Sequence, residues 1–227
     1  LTNILIAEFP EFSMPNPRTE LIAHIESARI VAILRAGSDA GLVEGCRAMA
    51  EGGVRVAEVP LTVPNALGVI SGIARELPGR VLIGAGSVLD GDGVKRAVDA
   101  GARFIVSPVV KAEVIETSHA LGVACLPGAL TPTEVQSAWE MGADIVKVFP
   151  AHRVGGPGYI RELLAPLPHL KLMPTGGVRL ETAGEWLDAG AVCLGVGTSI
   201  VRPDLIEAGD WDGLTAHARA FVKAVGL

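Results

Sequence analysis

The sequence predicts an α/β fold, a closed (β/α)8 barrel, and three observations carry that expectation. Eight strand-like runs alternate with helical patterns along the 227 residues. Five of the helical patterns end in glycine followed by a small or branched residue, at Gly53, Gly101, Gly122, Gly142 and Gly190. No dinucleotide fingerprint follows the first strand, where an open doubly wound sheet would carry one. Strict alternation means parallel strands joined by right-handed crossovers. Eight units of about two dozen residues suit a barrel better than an open sheet.

Taken in order, a helix over 18–27 leads into a first strand at 30–34, an apolar run of the kind that parallel strands bury on both faces. A helix at 39–51 ends at Gly52-Gly53, where glycine takes the left-handed conformation that stops a helix. Further strands follow at 56–61, 81–85, 104–107 and Ala124–Leu126, with helices at 65–76, 91–100 and 111–121. Thr131-Pro132 marks the start of a helix at 133–141. The last strands are 145–149, 171–173 and 192–196, and helices at 159–165, 180–189 and 211–225 complete the pattern.

Two of these strands break their own rule. The run from Ile145 to Phe149 should be continuously apolar, yet its middle residue is Lys147. The other four of the chain's five lysines fall on helices or at a strand's start. A buried ammonium is costly unless it is paired or sheds its proton, and burial is what turns lysine into an amine nucleophile near neutral pH. Glu58, inside Val56-Ala57-Glu58-Val59-Pro60-Leu61, repeats the anomaly with a carboxylate. Together they offer an amine and a general acid–base with displaced pKa values; a purely structural ion pair is the bland reading.

Barrel active sites gather at the C-terminal ends of strands. The polar residues there are Arg35, Thr62, Ser87, Ser107-Pro108, Thr175-Gly176-Gly177 and Gly197-Thr198-Ser199. Glycines at the ends of the last two strands let backbone amides approach an anion, and Thr198 and Ser199 add hydroxyls, as in barrel phosphate sites. Arg55, Arg103 and Lys171 stand at strand starts and so face the structural end.

With 49% hydrophobic and 19% charged residues, the chain suits one globular domain over 14–227. A net charge of −6 argues against a nucleic-acid or anionic-membrane partner, and no apolar run is long enough to span a membrane. Cys46, Cys125 and Cys193 lie far apart, as buried reduced thiols of a cytoplasmic protein would. No His/Asp/Glu spacing suggests a metal; His24, His119, His169 and His217 fall on helices or loops, and His152 is within reach of Lys147 but reads as solvated. Residues 1–13 lack a basic n-region and a cleavage site, so they read as a leader or appended segment outside the fold.

From about Ile22 to Pro203 the chain resembles the 2-keto-3-deoxy-6-phosphogluconate / 4-hydroxy-2-oxoglutarate aldolase family. The resemblance rests on Val31-Ala32-Ile33-Leu34-Arg35, Glu58-Val59-Pro60-Leu61, Ile83-Gly84-Ala85-Gly86-Ser87, Ser107-Pro108, Leu126-Pro127-Gly128, Lys147-Val148-Phe149-Pro150-Ala151 and Pro174-Thr175-Gly176-Gly177-Val178. It implies a homotrimeric, metal- and cofactor-free class I aldolase on a (β/α)8 barrel. Such an enzyme would cleave a phosphorylated keto-acid to pyruvate and an aldehyde. Lys147 would be the Schiff-base lysine and Glu58 the general acid–base. Arg35, Ser87 and Pro108 would line the pyruvate pocket, and Gly176, Gly177 and Ser199 would bind phosphate.

Two segments point to different branches. Residues 58–64 resemble the 6-phosphogalactonate type, with Thr62 where the gluconate type has arginine, while Pro174-Thr175-Gly176-Gly177 resembles the gluconate type. Thr175, at the reacting end, is weighted above Thr62, which is expected at the carboxylate end, so the gluconate epimer is the expected substrate. The competing readings are a phosphosugar isomerase or epimerase on the same barrel and a non-catalytic phosphate-ligand binder. Neither requires an imine-forming lysine.

Overall fold

The computed structural model describes residues 17–227; the leader expected at 1–13 lies outside them. Helix α1 (Pro17–Ala28) precedes β1 (Ile30–Ile33), and α2 (Leu42–Glu51), β2 (Val56–Pro60), α3 (Ala66–Glu76) and β3 (Leu82–Gly86) follow. Next come α4 (Gly91–Asp99), β4 (Phe104–Val106), α5 (Ala112–Ala120), β5 (Ala124–Leu126), β6 (Gly128–Ala129) and α6 (Pro132–Glu140). The second half holds β7 (Val146–Val148), α7 (Pro157–Leu164), β8 (Leu172–Pro174), α8 (Ala183–Asp188) and β9 (Leu194–Val196). Short α9 (Thr198–Val201) and α10 (Pro203–Ala208) lead into the closing α11 (Trp211–Ala224).

All strand pairs are parallel, in the order β5-β4-β3-β2-β1-β9 and β6-β7-β8. The two sets join at both ends. A bridge between Thr175 and Gly195 links β8 to β9. On the other side, Asp144 N donates to Cys125 O at 3.0 Å and Lys147 N to Pro127 O at 2.9 Å. Strands β5 and β6 are thus one barrel stave broken at Pro127, and the expected (β/α)8 barrel closes.

Alternation along each strand sorts residues between two cores. Val31, Val56, Phe104, Val106, Leu126, Ile145, Met173 and Cys193 face inward and pack as one buried cluster with Leu21, Ile25 and Ala28 of α1. Helix α1 therefore closes the barrel floor, and burying its Leu and Ile side chains stabilises by about 1.5–3 kcal/mol each. The intervening residues, such as Ala32, Ala57, Val59, Val146, Val148 and Leu172, pack outward against the surrounding helices. All three cysteines are buried and free. No helix among the described residues is long and apolar enough to cross a membrane.

The structure departs from the expected elements in instructive places. Helix α2 starts at Leu42 rather than 39, because the Asp39 carboxylate accepts from the Asn65 side chain at 2.9 Å and holds residues 38–41 in a turn. The expected helix over 180–189 opens as a 3-10 turn, Leu180–Thr182, where the Thr182 hydroxyl lies 3.4 Å from both the amide and the carbonyl of Arg179. Such side-chain bonding competes with regular helix. Helix α6 begins at Pro132 with a full capping box between Thr131 and Glu134. The short helices α9 and α10, and a 3-10 turn at Ala151–Val154, have too few residues for a periodic signal.

Candidate active site

Period-two alternation puts Lys147 on the same inward face as Ile145, and Glu58 on that of Val56, one layer nearer the C-terminal end of the barrel. Lys147 is only 6% exposed and Glu58 2%. Glu58 packs beneath the chain end of β3: a Cβ on Gly86 would come within 1.9 Å of its Oε2. Glycine at 86 is what leaves the carboxylate room to lie inside the barrel. Glu58 Oε2 has no hydrogen-bond partner among the described residues.

Burial dominates the electrostatics of both groups. It raises the Glu58 carboxyl from 4.5 to about 7, against the opposing pull of Lys147 and Arg35. Burial also lowers the Lys147 ammonium from 10.5; Glu58 opposes that shift and Arg35 adds to it. A carboxyl that both gives and takes protons near neutrality thus shares a site with an amine biased toward its free, nucleophilic form. The Lys147 Nζ also lies 5.1 Å from the Phe149 ring centroid.

Lys147 opens into a cavity of about 590 Å³ at the C-terminal end of the barrel. Arg35, Ser87 and Pro108 line one part of it, and Thr175, Gly176, Gly177, Gly197, Thr198 and Ser199 line another. Ser87 holds a left-handed backbone at φ 56, an uncommon state for a residue with a Cβ and one that clusters at functional sites. Gly176 and Gly177 are also left-handed, at φ 92 and 77, so the chain turns back over the cavity mouth in a way only glycine adopts without strain. Thr175 is 4% exposed, and its buried hydroxyl has no partner among the described residues. It fits because residue 195 is glycine: a Cβ there would meet Thr175 Oγ1 at 2.2 Å. The carbonyl of Ser199 lies 2.7 Å from Nε2 of His217 on α11, which must therefore donate to it.

Of the residues expected at the site, Glu58 and Thr62 do not line the cavity: Glu58 is buried and acts on Lys147 through its charge, whereas Thr62 stands apart. It is exposed in the turn after β2 and does not line the cavity. Position four residues past Glu58 is beyond the end of the strand, where alternation no longer dictates the direction of a side chain. Five lining residues lie outside the expected set. Phe149, two residues beyond Lys147, Ile33, two beyond Val31, and Gly195, two beyond Cys193, carried a signal in their period, whereas Val178 and Arg179 carried none beyond proximity to a strand end. His152 is exposed and packs against the Gly176-Gly177 turn. Among the described residues no group of three or more His, Cys, Asp or Glu is placed to hold a metal.

A larger groove, about 810 Å³, lies at the opposite end beside α1 and is lined by Glu20, His24, Arg103 and apolar residues. None of the expected site residues reaches it. At this end Lys171 pairs with Glu26 at 2.6 Å and Arg55 donates to Ala50 O at 3.1 Å, the structural roles expected of strand-start cations.

Comparison with known proteins converges on one family. A model of the KDPG and KHG aldolases matches residues 21–217. The chain is 36% identical over 197 residues to the 2-dehydro-3-deoxy-6-phosphogalactonate aldolase of Escherichia coli strain K12, covering 86% of this chain and 93% of that one. It is 32% identical over 203 residues to the 2-dehydro-3-deoxy-phosphogluconate aldolase of Treponema pallidum strain Nichols, covering 89% and 96%. The KDPG aldolase of Legionella pneumophila, solved with pyruvate captured as a covalent carbinolamine, superimposes with a TM-score of 0.79 at 28% identity over 88% of this chain and 96% of that one. With the family pattern running through nearly all of the barrel, this chain belongs to the KDPG and KHG aldolase family.

Proposed function

We propose that this chain is a class I aldolase that cleaves 2-keto-3-deoxy-6-phosphogluconate to pyruvate and glyceraldehyde 3-phosphate, with Lys147 as the imine-forming amine. One observation carries the reading: a lysine 6% exposed, its ammonium disfavoured by burial, opens into a cavity at the catalytic end of a barrel. The free amine attacks the C2 ketone, and loss of water gives a protonated imine. When the C3–C4 bond breaks, its electrons flow into that cation and form an enamine, while the C4 hydroxyl loses its proton and the aldehyde departs. Glu58 takes that proton and returns one to C3; water then hydrolyses the imine and frees pyruvate. A carboxyl near 7 is suited to both directions of transfer.

Arg35, Ser87 and Pro108 hold the pyruvate end, with Arg35 matched to the carboxylate. Amides of Gly176, Gly177 and Gly197, with the hydroxyls of Thr198 and Ser199, receive the phosphate. Incubation with pyruvate and borohydride, followed by peptide mass spectrometry, tests the reading: one reduced pyruvate adduct is expected, on Lys147. A protein left unmodified, or labelled at Lys171, overturns it.

Thr175 decides between epimers at C4 in this reading. Its hydroxyl, buried and unpartnered, is read as the group that bonds the C4 oxygen in one configuration, since sites that hydrogen-bond a substrate hydroxyl reject the wrong epimer strongly. The wild type is expected to prefer the gluconate compound over the galactonate one, and Thr175→Val to cut that preference roughly tenfold or more. Cleavage rates of both epimers measure it; an unchanged ratio removes Thr175 from the specificity.

The buried free cysteines support a reducing compartment, the cytoplasm. Exposed Leu89, Val109 and Phe149, each just beyond a strand's C-terminal end, supply apolar surface that supports assembly as a homotrimer. Light scattering should return three chain masses, and a monomer mass would refute this.

A further inference from the structure

We infer that Arg179 is a specificity-determining residue of this cavity, selecting substrates whose far end carries a phosphate dianion. The inference rests on the aldolase reading and adds a residue to its phosphate end. Arg179 lies two residues beyond Gly177 and lines the same cavity as Gly176, Gly177, Thr198 and Ser199. It is exposed, and no acidic side chain pairs with it among the described residues. Arg202, just past α9, is by contrast held by Asp204 at 2.8 Å.

The charges in the cavity are divided between its two ends. Its lining includes Arg35, Lys147 and Arg179, and the one acid that acts on these groups, Glu58, is buried at the reacting end and does not line it, in a chain of net charge −6. A cleft of one sign concentrates ligands of the other. Arg35 acts on both Glu58 and Lys147, whereas Arg179 perturbs neither, so the two arginines serve different ends of a bound molecule. Arg35 belongs to the reacting end and Arg179 to the double-glycine turn. Backbone amides and hydroxyls there are neutral donors that accept a carboxylate, a hydroxyl or a phosphate with modest discrimination. A guanidinium adds a full charge and a planar fork that matches phosphate oxygens bidentately. Because Arg179 has no acid to release, it engages a phosphate without first breaking an ion pair.

The test compares kcat/KM for 2-keto-3-deoxy-6-phosphogluconate with that for unphosphorylated 2-keto-3-deoxygluconate in wild type, Arg179→Ala and Arg179→Lys. In Arg179→Ala the ratio is expected to fall at least about tenfold, with the loss in KM for the phosphorylated compound rather than in kcat. Arg179→Lys should recover part of it, keeping the charge without the fork. A ratio unchanged in both variants overturns the inference. Borohydride trapping with pyruvate separates the two levels. Trapping at Lys147 with an unchanged ratio defeats only the role of Arg179, whereas no trapping in the wild type defeats the aldolase reading and this inference with it.

Discussion

Lys147→Met is expected to abolish both pyruvate trapping and cleavage, with kcat/KM at least about 10⁴-fold below wild type, while the barrel stays folded. Methionine matches the length of the side chain and removes the nitrogen, so no imine forms and the C3–C4 electrons have nowhere to go. Residual binding to the phosphate and carboxylate groups does not replace a missing covalent intermediate. Stability should not suffer. The folded pKa of Lys147 lies below 10.5 because burial penalises the ammonium. At neutral pH the unfolded chain therefore binds this proton more readily than the folded one, and the group costs stability that returns as pH climbs toward 10.5. A thermal midpoint at pH 7 equal to or above that of the wild type, with activity gone, is the expected pair of results. Retained cleavage would move the nucleophile elsewhere, and a collapsed midpoint would recast Lys147 as half of a structural ion pair.

Glu58→Gln is expected to bind pyruvate and form the imine yet to lose about 10²–10⁴ in turnover, the range that general acid–base help contributes. The amide keeps the shape of the side chain inside the barrel and cannot exchange a proton. Removing the carboxylate also removes the one charge that holds the Lys147 proton in place, so the Lys147 pKa should fall further and imine formation need not fail. The pH dependence gives a second readout. The folded pKa of Glu58, about 7, exceeds the ordinary 4.5. Between those values the folded state keeps a proton that the unfolded chain has lost. This carboxyl's contribution to stability is thus fully present below 4.5, is lost as pH rises to about 7, and is level beyond. The variant should therefore gain thermal stability relative to wild type on going from about pH 5 to about pH 8. Turnover close to wild type would refute the proton-transfer role, and parallel melting curves across that range would refute the raised pKa.

Both variants trade on one feature, that burial in the core disfavours the charged form of each ionisable group. Such conflicts between local rule and residue are what made the site legible at all. Lys147 and Glu58 stood out because a parallel strand should be apolar on both faces. Ser87, Thr175 and the glycines after β8 and β9 stood out only once strand ends were identified with the catalytic face. Thr62 was placed by the same rule and missed: the turn after β2 leaves it in solvent. Arg179 was overlooked because it lies four residues beyond Thr175, in a loop, and nothing in its neighbours marks it.

The sequence by itself determined the barrel and singled out Lys147 and Glu58. Alternating apolar runs and glycine-stopped helices are local signals, and eight of them leave few ways to bury every strand. A charged residue inside such a run needs no coordinates to be recognised as anomalous. Tertiary structure alone decided the rest. Packing put the Glu58 carboxylate against Gly86 and the Thr175 hydroxyl against Gly195, contacts between neighbouring staves whose relative height follows from pairing rather than from either strand. It also split the fifth stave at Pro127 and brought Arg179 to the cavity while leaving Thr62 outside. The physical reason is the same each time. Within a strand, period two fixes where a side chain points. Beyond its end, direction is set by the turn and by what packs against it, and those partners are distant in the chain.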